Sequence, residues 1–196
     1  MKKICVLIGI LISMVMTGIV VNAKQSQMQQ ELAEEVFRFH VLANSDSEED
    51  QALKMQVKEA VIAYMKEEIP ESDSVEITKE WAKSHLSAIV NLAQAVIRKE
   101  GYAYDVTAEV TSCDFPEKTY GDITFPSGEY EALRIEIGQA KGQNWWCVLY
   151  PNLCFIDAVH AVVPEKGKKD LKKVLEEDTY EMVTATSRFK IGWFFF

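Results

Sequence analysis

The chain has 196 residues, 48% of them hydrophobic, with 30 acidic against 21 basic side chains and a formal net charge of −9. That length fits one domain with a buried core behind a short leader. An acidic chain is repelled by phosphate backbones and by anionic surfaces, and no basic stripe is interleaved with aromatics, which excludes nucleic acid as a partner.

Met1-Lys2-Lys3 is a basic start. No charge follows from Ile4 to Val21, and Val21-Asn22-Ala23 is a small-residue pattern that signal peptidase accepts. Residues 1–23 are expected to be a signal peptide cut after Ala23. The alternative is an uncleaved anchor, although the stretch falls short of the roughly 20 residues of a comfortable membrane helix. Either way the rest of the chain works outside the cytoplasm. Without the leader, 19 basic residues face 30 acidic ones, a net −11.

Residues 24–35 form a polar spacer, read as a fraying helix or a tether. Val36–Ala43 is rich in β-branched and aromatic residues and predicts a strand, with Phe37, Phe39 and Val41 on one face and Arg38, His40 and Leu42 on the other. Asn44-Ser45-Asp46-Ser47 breaks it. Ser47 and Asp50 resemble a capping box, and Glu48, Glu49 and Asp50 suit a helix N-terminus. A helix is predicted over 48–68 with Leu53, Val57, Ala60, Val61 and Tyr64 inward, ended by Pro70. Residues 71–77 read as a linker with a possible short strand at Val75-Glu76-Ile77. Thr78 caps a second helix to Lys99, with Trp81, His85, Ala88, Leu92 and Val96 as its stripe and Ile89, Ala93 and Ile97 widening it. Gly101 supplies the left-handed stop.

Strands are predicted over 102–112, 130–137 and 145–150, with a loop over 115–122 and a turn at Pro126-Ser127-Gly128. A short helix is predicted over 170–177, and a last strand or apolar tail over 188–196. The expected fold is α+β: an N-terminal strand, two long helices, then a mainly antiparallel sheet in one domain. Residues 36–157 make its core and 158–196 a C-terminal extension.

Little here predicts catalysis. Asn44, Asp46, Glu48 and Asp50 alternate like calcium ligands but lack the sixth-position glycine and twelfth-position glutamate of that loop. His40, His85 and His160 are scattered and have no zinc spacing. His85 reads as a core histidine with a satisfied nitrogen. No nucleophile elbow or phosphate loop occurs. No metal or cofactor is expected, and the protein is not expected to be an enzyme. A secreted hydrolase using Cys113 or a carboxylate pair is the rival reading; it requires a Cys/His pair or converging perturbed carboxylates.

Cys5 belongs to the leader. Cys147 and Cys154 flank a Pro-Asn turn, so a cross-strand disulfide and three buried free thiols both remain open. Large aromatics crowd between Phe115 and Phe155, including adjacent Trp145 and Trp146, whose side chains must leave a strand on opposite faces.

Three blocks carry a family likeness: Phe39-His40-Val41-Leu42-Ala43-Asn44-Ser45-Asp46, Phe115-Pro116-Glu117-Lys118-Thr119-Tyr120-Gly121, and Pro126 to Arg134 running into Gly142-Gln143-Asn144-Trp145-Trp146-Cys147-Val148-Leu149-Tyr150-Pro151-Asn152-Leu153-Cys154-Phe155. From about Val36 to Asp157 the chain resembles stage II sporulation protein R of endospore-forming bacteria. The resemblance implies a signalling protein made in the forespore and exported into the space between the two membranes around it. There it would trigger a membrane-embedded aspartic protease that processes the sigma-E precursor of the mother cell. It implies no catalytic residues and no small-molecule substrate. Asn44, Asp46, Lys118, Tyr120, Arg134, Trp145 and Trp146 are the candidate partner contacts.

Overall fold

The computed structural model describes residues 2–70, 74–154, 163 and 165–185. Phe155, His160 and the 188–196 tail lie outside them. Helix α1 (Lys2–Glu35) runs into strand β1 (Phe37–Leu42), followed by helices α2 (Glu48–Glu68) and α3 (Val75–Lys99). Then come β2 (Val106–Phe115), β3 (Lys118–Tyr120), β4 (Ile123–Phe125), β5 (Gly128–Ile137), β6 (Asn144–Tyr150), α4 (Glu165–Val174) and α5 (Glu177–Ala185). The fold is α+β.

The main sheet has the order β2-β5-β1-β6. Strand β1 pairs parallel with β5 and antiparallel with β6, and β2 pairs antiparallel with β5. Strand β1 is thus central, and all six of its residues are buried. On one face Phe37, Phe39, Val41, Leu133 and Ile135 pack against Leu53, Val57 and Val61 of α2 and Ile89, Ala93 and Ile97 of α3. The opposite face carries a second apolar cluster that includes Leu32 of α1, Ile123 and Phe125 of β4, Leu171 of α4 and Val183 of α5.

The ends of α2 and α3 follow from local chemistry. Ser47 Oγ accepts from Asp50 N at 3.2 Å, and three acids fill the first turn of α2. Helix α2 closes at Ile69, just before Pro70. Helix α3 closes where Gly101 takes φ +85° and Tyr102 N donates to Ile97 O at 3.0 Å.

Several expectations are corrected. Val75-Glu76-Ile77 is not a strand but the first turn of α3. Ser74 takes the N-cap position, with its hydroxyl 2.9 Å from Glu76 Oε2, and buried Val75 and Thr78 extend the helical period of Trp81 and Ala82 backwards. The buried line of α3 is Ile89, Ala93 and Ile97, whereas Ala88 is exposed. The 115–122 segment is not all loop: β3 pairs with β4 in a small hairpin. The predicted 170–177 helix straddles the break between α4 and α5.

Residues 24–35 are no tether. They are the docked end of α1: Leu32 is fully buried, Gln29 Nε2 donates to Tyr130 Oη at 3.1 Å, and Glu31 Oε1 accepts from Glu176 N at 2.7 Å. Lys24 pairs with Asp178 at 2.7 Å. Before it, Met14, Val15, Met16, Ile19, Val20 and Val21 are each more than half exposed. No helix among the described residues is long and apolar enough to cross a membrane.

Candidate functional site

The face of the sheet away from α2 and α3 carries the polar chemistry. Arg38 is fully buried at the centre of β1. Its Nε donates to Cys147 O at 3.1 Å and its Nη2 to Tyr120 Oη at 3.2 Å. The guanidinium carbon lies 4.3 Å from the Phe115 ring centre, 4.9 Å from Tyr130, 5.2 Å from Phe125 and 6.0 Å from Tyr120. No carboxylate pairs with it among the described residues, so aromatic faces stand where a counter-ion would. Burial draws its pKa down, against the favourable influence of Tyr120 and Tyr130.

His40 lies two residues on, facing the same way. Its ring stacks on Trp146 at 4.8 Å and sits 5.1 Å from Phe115. Its Nε2 is 3.4 Å from Cys113 Sγ. Here is the Cys/His pair that the hydrolase reading requires. Its electrostatics run the wrong way for a nucleophile. Burial first, then the Arg134 and Arg38 charges, push the His40 pKa down from 6.5 to about 4. Burial pushes the Cys113 thiol up. An activated pair needs a thiolate beside an imidazolium, the reverse of both shifts. Among the described residues no third group orients the imidazole either, because His40 Nδ1 has no partner there.

Across the sheet, Glu109, Arg134, His40 and Trp146 occupy one register row on β2, β5, β1 and β6. Arg134 reaches Glu109 at 3.5 Å and also pairs with Glu136. Arg38 Nη1, His40 Nδ1, Arg134 Nε and Asn144 Oδ1 are the buried side-chain polar atoms without a partner among the described residues. The strand alternation puts all four residues on this face.

The sequence-predicted contacts separate into distinct places. Tyr120, Arg134 and Trp146 meet around Arg38 and His40. Trp145 points to the helix side, edge-on to Phe39 at 5.7 Å and 5.2 Å from Lys58 Nζ. Asn44 and Asp46 latch the β5–β6 loop instead: Asn44 Oδ1 accepts from Gln139 N at 2.9 Å, and Asp46 Oδ1 from Gln143 N at 2.7 Å. Lys118 sits half-buried on the β3–β4 hairpin, two residues before Tyr120 on the same strand. Arg38 and the His40–Cys113 contact were missed from sequence. The signal was present: an arginine and a histidine two apart on one face of an otherwise apolar strand.

Cys147 and Cys154 are disulfide-paired, with Cα atoms 5.6 Å apart, and Cys113 is free. Cys154 N donates to Val148 O at 3.0 Å, which folds the chain back after the cis Tyr150–Pro151 bond. His85 stacks on Trp81 at 4.3 Å, and its Nδ1 lies 2.8 Å from Trp81 O. No group of three or more His, Cys, Asp or Glu among the described residues could hold a metal ion.

The family model for stage II sporulation protein R matches residues 33–160, a span that contains the whole arginine cage. Over 192 residues the chain is 35% identical to the stage II sporulation protein R of Bacillus subtilis (strain 168), covering 94% of this chain and 86% of that protein. No solved structure matches.

Proposed function

Because the chain belongs to the stage II sporulation protein R family and is thus a sporulation protein, we propose that it is exported from the forespore as a signalling ligand. In this reading it switches on a membrane-embedded aspartic protease, which then processes the sigma-E precursor of the mother cell. The observation that carries the export step is α1. Its described large apolar residues from Met14 to Val21 are exposed, and among the described side chains the ion pairs that tie α1 to the body begin at Lys24, the first residue after the expected cut. The unactivated Cys113–His40 pair favours a ligand over a hydrolase. The half-exposed row of Glu109, Arg134 and Trp146 is the surface offered to the protease.

Co-expression with the protease and the sigma precursor tests this reading. Charged residues across 6–12 should abolish processing, and so should Arg134→Glu with Trp146→Ala in a protein that still folds. Cys113→Ser should process normally. Full processing by a demonstrably cytoplasmic form, or its loss with Cys113→Ser, would overturn the exported-ligand reading.

A further inference from the structure

Helix α4 carries five lysines and two acids within ten residues, a local +3 in a chain of net −9. Its inner side is fastened: Gly167 and Leu171 are buried, Lys168 pairs with Asp122 at 2.5 Å, and Lys172 pairs with Glu177 at 3.0 Å. Lys166, Lys169 and Lys173 recur at helical spacing and are exposed. Lys166 and Lys169 make no ion pair among the described residues, and Lys173 lies 3.5 Å from Asp170.

The position of this helix gives the charge a meaning. Glu177 and Asp178 are consecutive in α5. Glu177 takes Lys172 of α4, and Asp178 takes Lys24 of α1. The basic helix therefore stands beside the point where the exposed apolar segment of α1 leaves the body of the protein.

We propose that α4 is a docking face for an anionic lipid bilayer, with headgroup phosphates as the ligands of Lys166, Lys169 and Lys173. The overall negative charge does not forbid this. Exposed charges more than about 10 Å apart are largely screened at 0.1 M salt, so the local lysines dominate at contact. Of the acids on neighbouring elements, Asp122 is taken by Lys168, Glu177 by Lys172 and Asp178 by Lys24, and within α4 Asp170 lies by Lys173. This inference runs against the expectation that anionic surfaces repel the chain, and it does not depend on the protease reading.

The test is partition of the full-length chain onto phosphatidylcholine vesicles with and without phosphatidylglycerol. The apolar leader contributes to both, so the ratio reads α4. The wild-type chain should prefer the anionic vesicles by roughly tenfold at low salt, and the preference should shrink as salt is added. K166E/K169E/K173E should lose the preference but keep its neutral-lipid binding. If that variant melts early, K166Q/K169Q/K173Q gives the same reading. Equal binding of the wild-type chain to both vesicles, or an unchanged preference in the variants, overturns the proposal. Competition by millimolar inorganic phosphate would point to a discrete phosphate site and also overturn it. Either result leaves the processing assay untouched.

Discussion

A fully buried arginine without a carboxylate partner is costly unless something replaces the solvent. In Arg38 four aromatic rings and two hydrogen bonds do so. Truncation to alanine would leave both a cavity and two unmatched acceptors, and Arg38→Ala should cost about 2–5 kcal/mol. Arg38→Met keeps most of the volume and should cost far less. Chemical denaturation of both variants distinguishes a packing role from a charge role. Equal losses would show that the cation itself matters. His40 makes a different prediction. Its folded pKa of about 4 lies below the ordinary 6.5. Between those values the unfolded chain binds more protons, so stability falls as pH drops through this window, by about 3 kcal/mol in all. His40→Gln should flatten the melting temperature across it. A wild-type slope retained in His40→Gln would mean that the loss arises elsewhere.

At the scale of elements, hydrophobic period and capping chemistry were legible, and tertiary context was not. Helix α2 runs from Glu48 to Glu68 as read, because Ser47, the acidic first turn and Pro70 are local signals. The start of α3 was misplaced because Val75 and Ile77 look like strand residues until Trp81 supplies the helical period. The box at Ser47 is half a box. Asp50 does not reach back to Ser47 but accepts from Asn44 Nδ2 at 2.8 Å and Ser45 Oγ at 2.5 Å. Burial pushes that carboxyl up, yet the bonds from Ser45, Asn44 and Tyr104 outweigh it and hold its pKa below normal. Ser47→Ala should therefore cost about 0.5–2 kcal/mol as a lost cap. Asp50→Ala should cost more, since it strands two donors and loosens Asn44. The latch has a steric side as well. A Cβ on Gly142 would meet Ser45 O at 2.1 Å, a backbone atom that cannot swing aside. Gly142→Ala should destabilise the β5–β6 loop, visible as faster amide exchange around Asn44 and Gln143. Unchanged exchange would mean that the loop shifts freely.

For the whole molecule, the α+β class was legible from the order of elements, but the second core was not. Strand alternation showed that β1 has two faces. It could not show that both are covered, because Leu32, Leu171 and Val183 reach the far face from opposite ends of the chain. The same distance hid the candidate site: His40 and Cys113 are 73 residues apart, and only the sheet register brings them together. Docking of α1 predicts an asymmetry between truncations. A chain starting at Lys24 should fold and melt close to the full-length protein. One starting at Val36 loses buried Leu32 and the bonds of Gln29 and Glu31, and should melt several degrees lower. Equal melting temperatures would mean that α1 adds nothing to the core.

The central place of β1 also sets a clock. Its neighbours are β5 on one side and β6 on the other, and β6 ends at Tyr150. At roughly 5–20 residues per second, a ribosome needs on the order of five to twenty seconds to travel from Leu42 to Tyr150. For most of that interval, until β5 is made at Gly128–Ile137, β1 has no partner on either edge, and its β6 edge stays open to the end. The export proposed above threads the chain through a membrane as a string, and this delay in closing the sheet would serve it. The first strand made must wait for β5 and then β6, so closure of the sheet around it is delayed by topology.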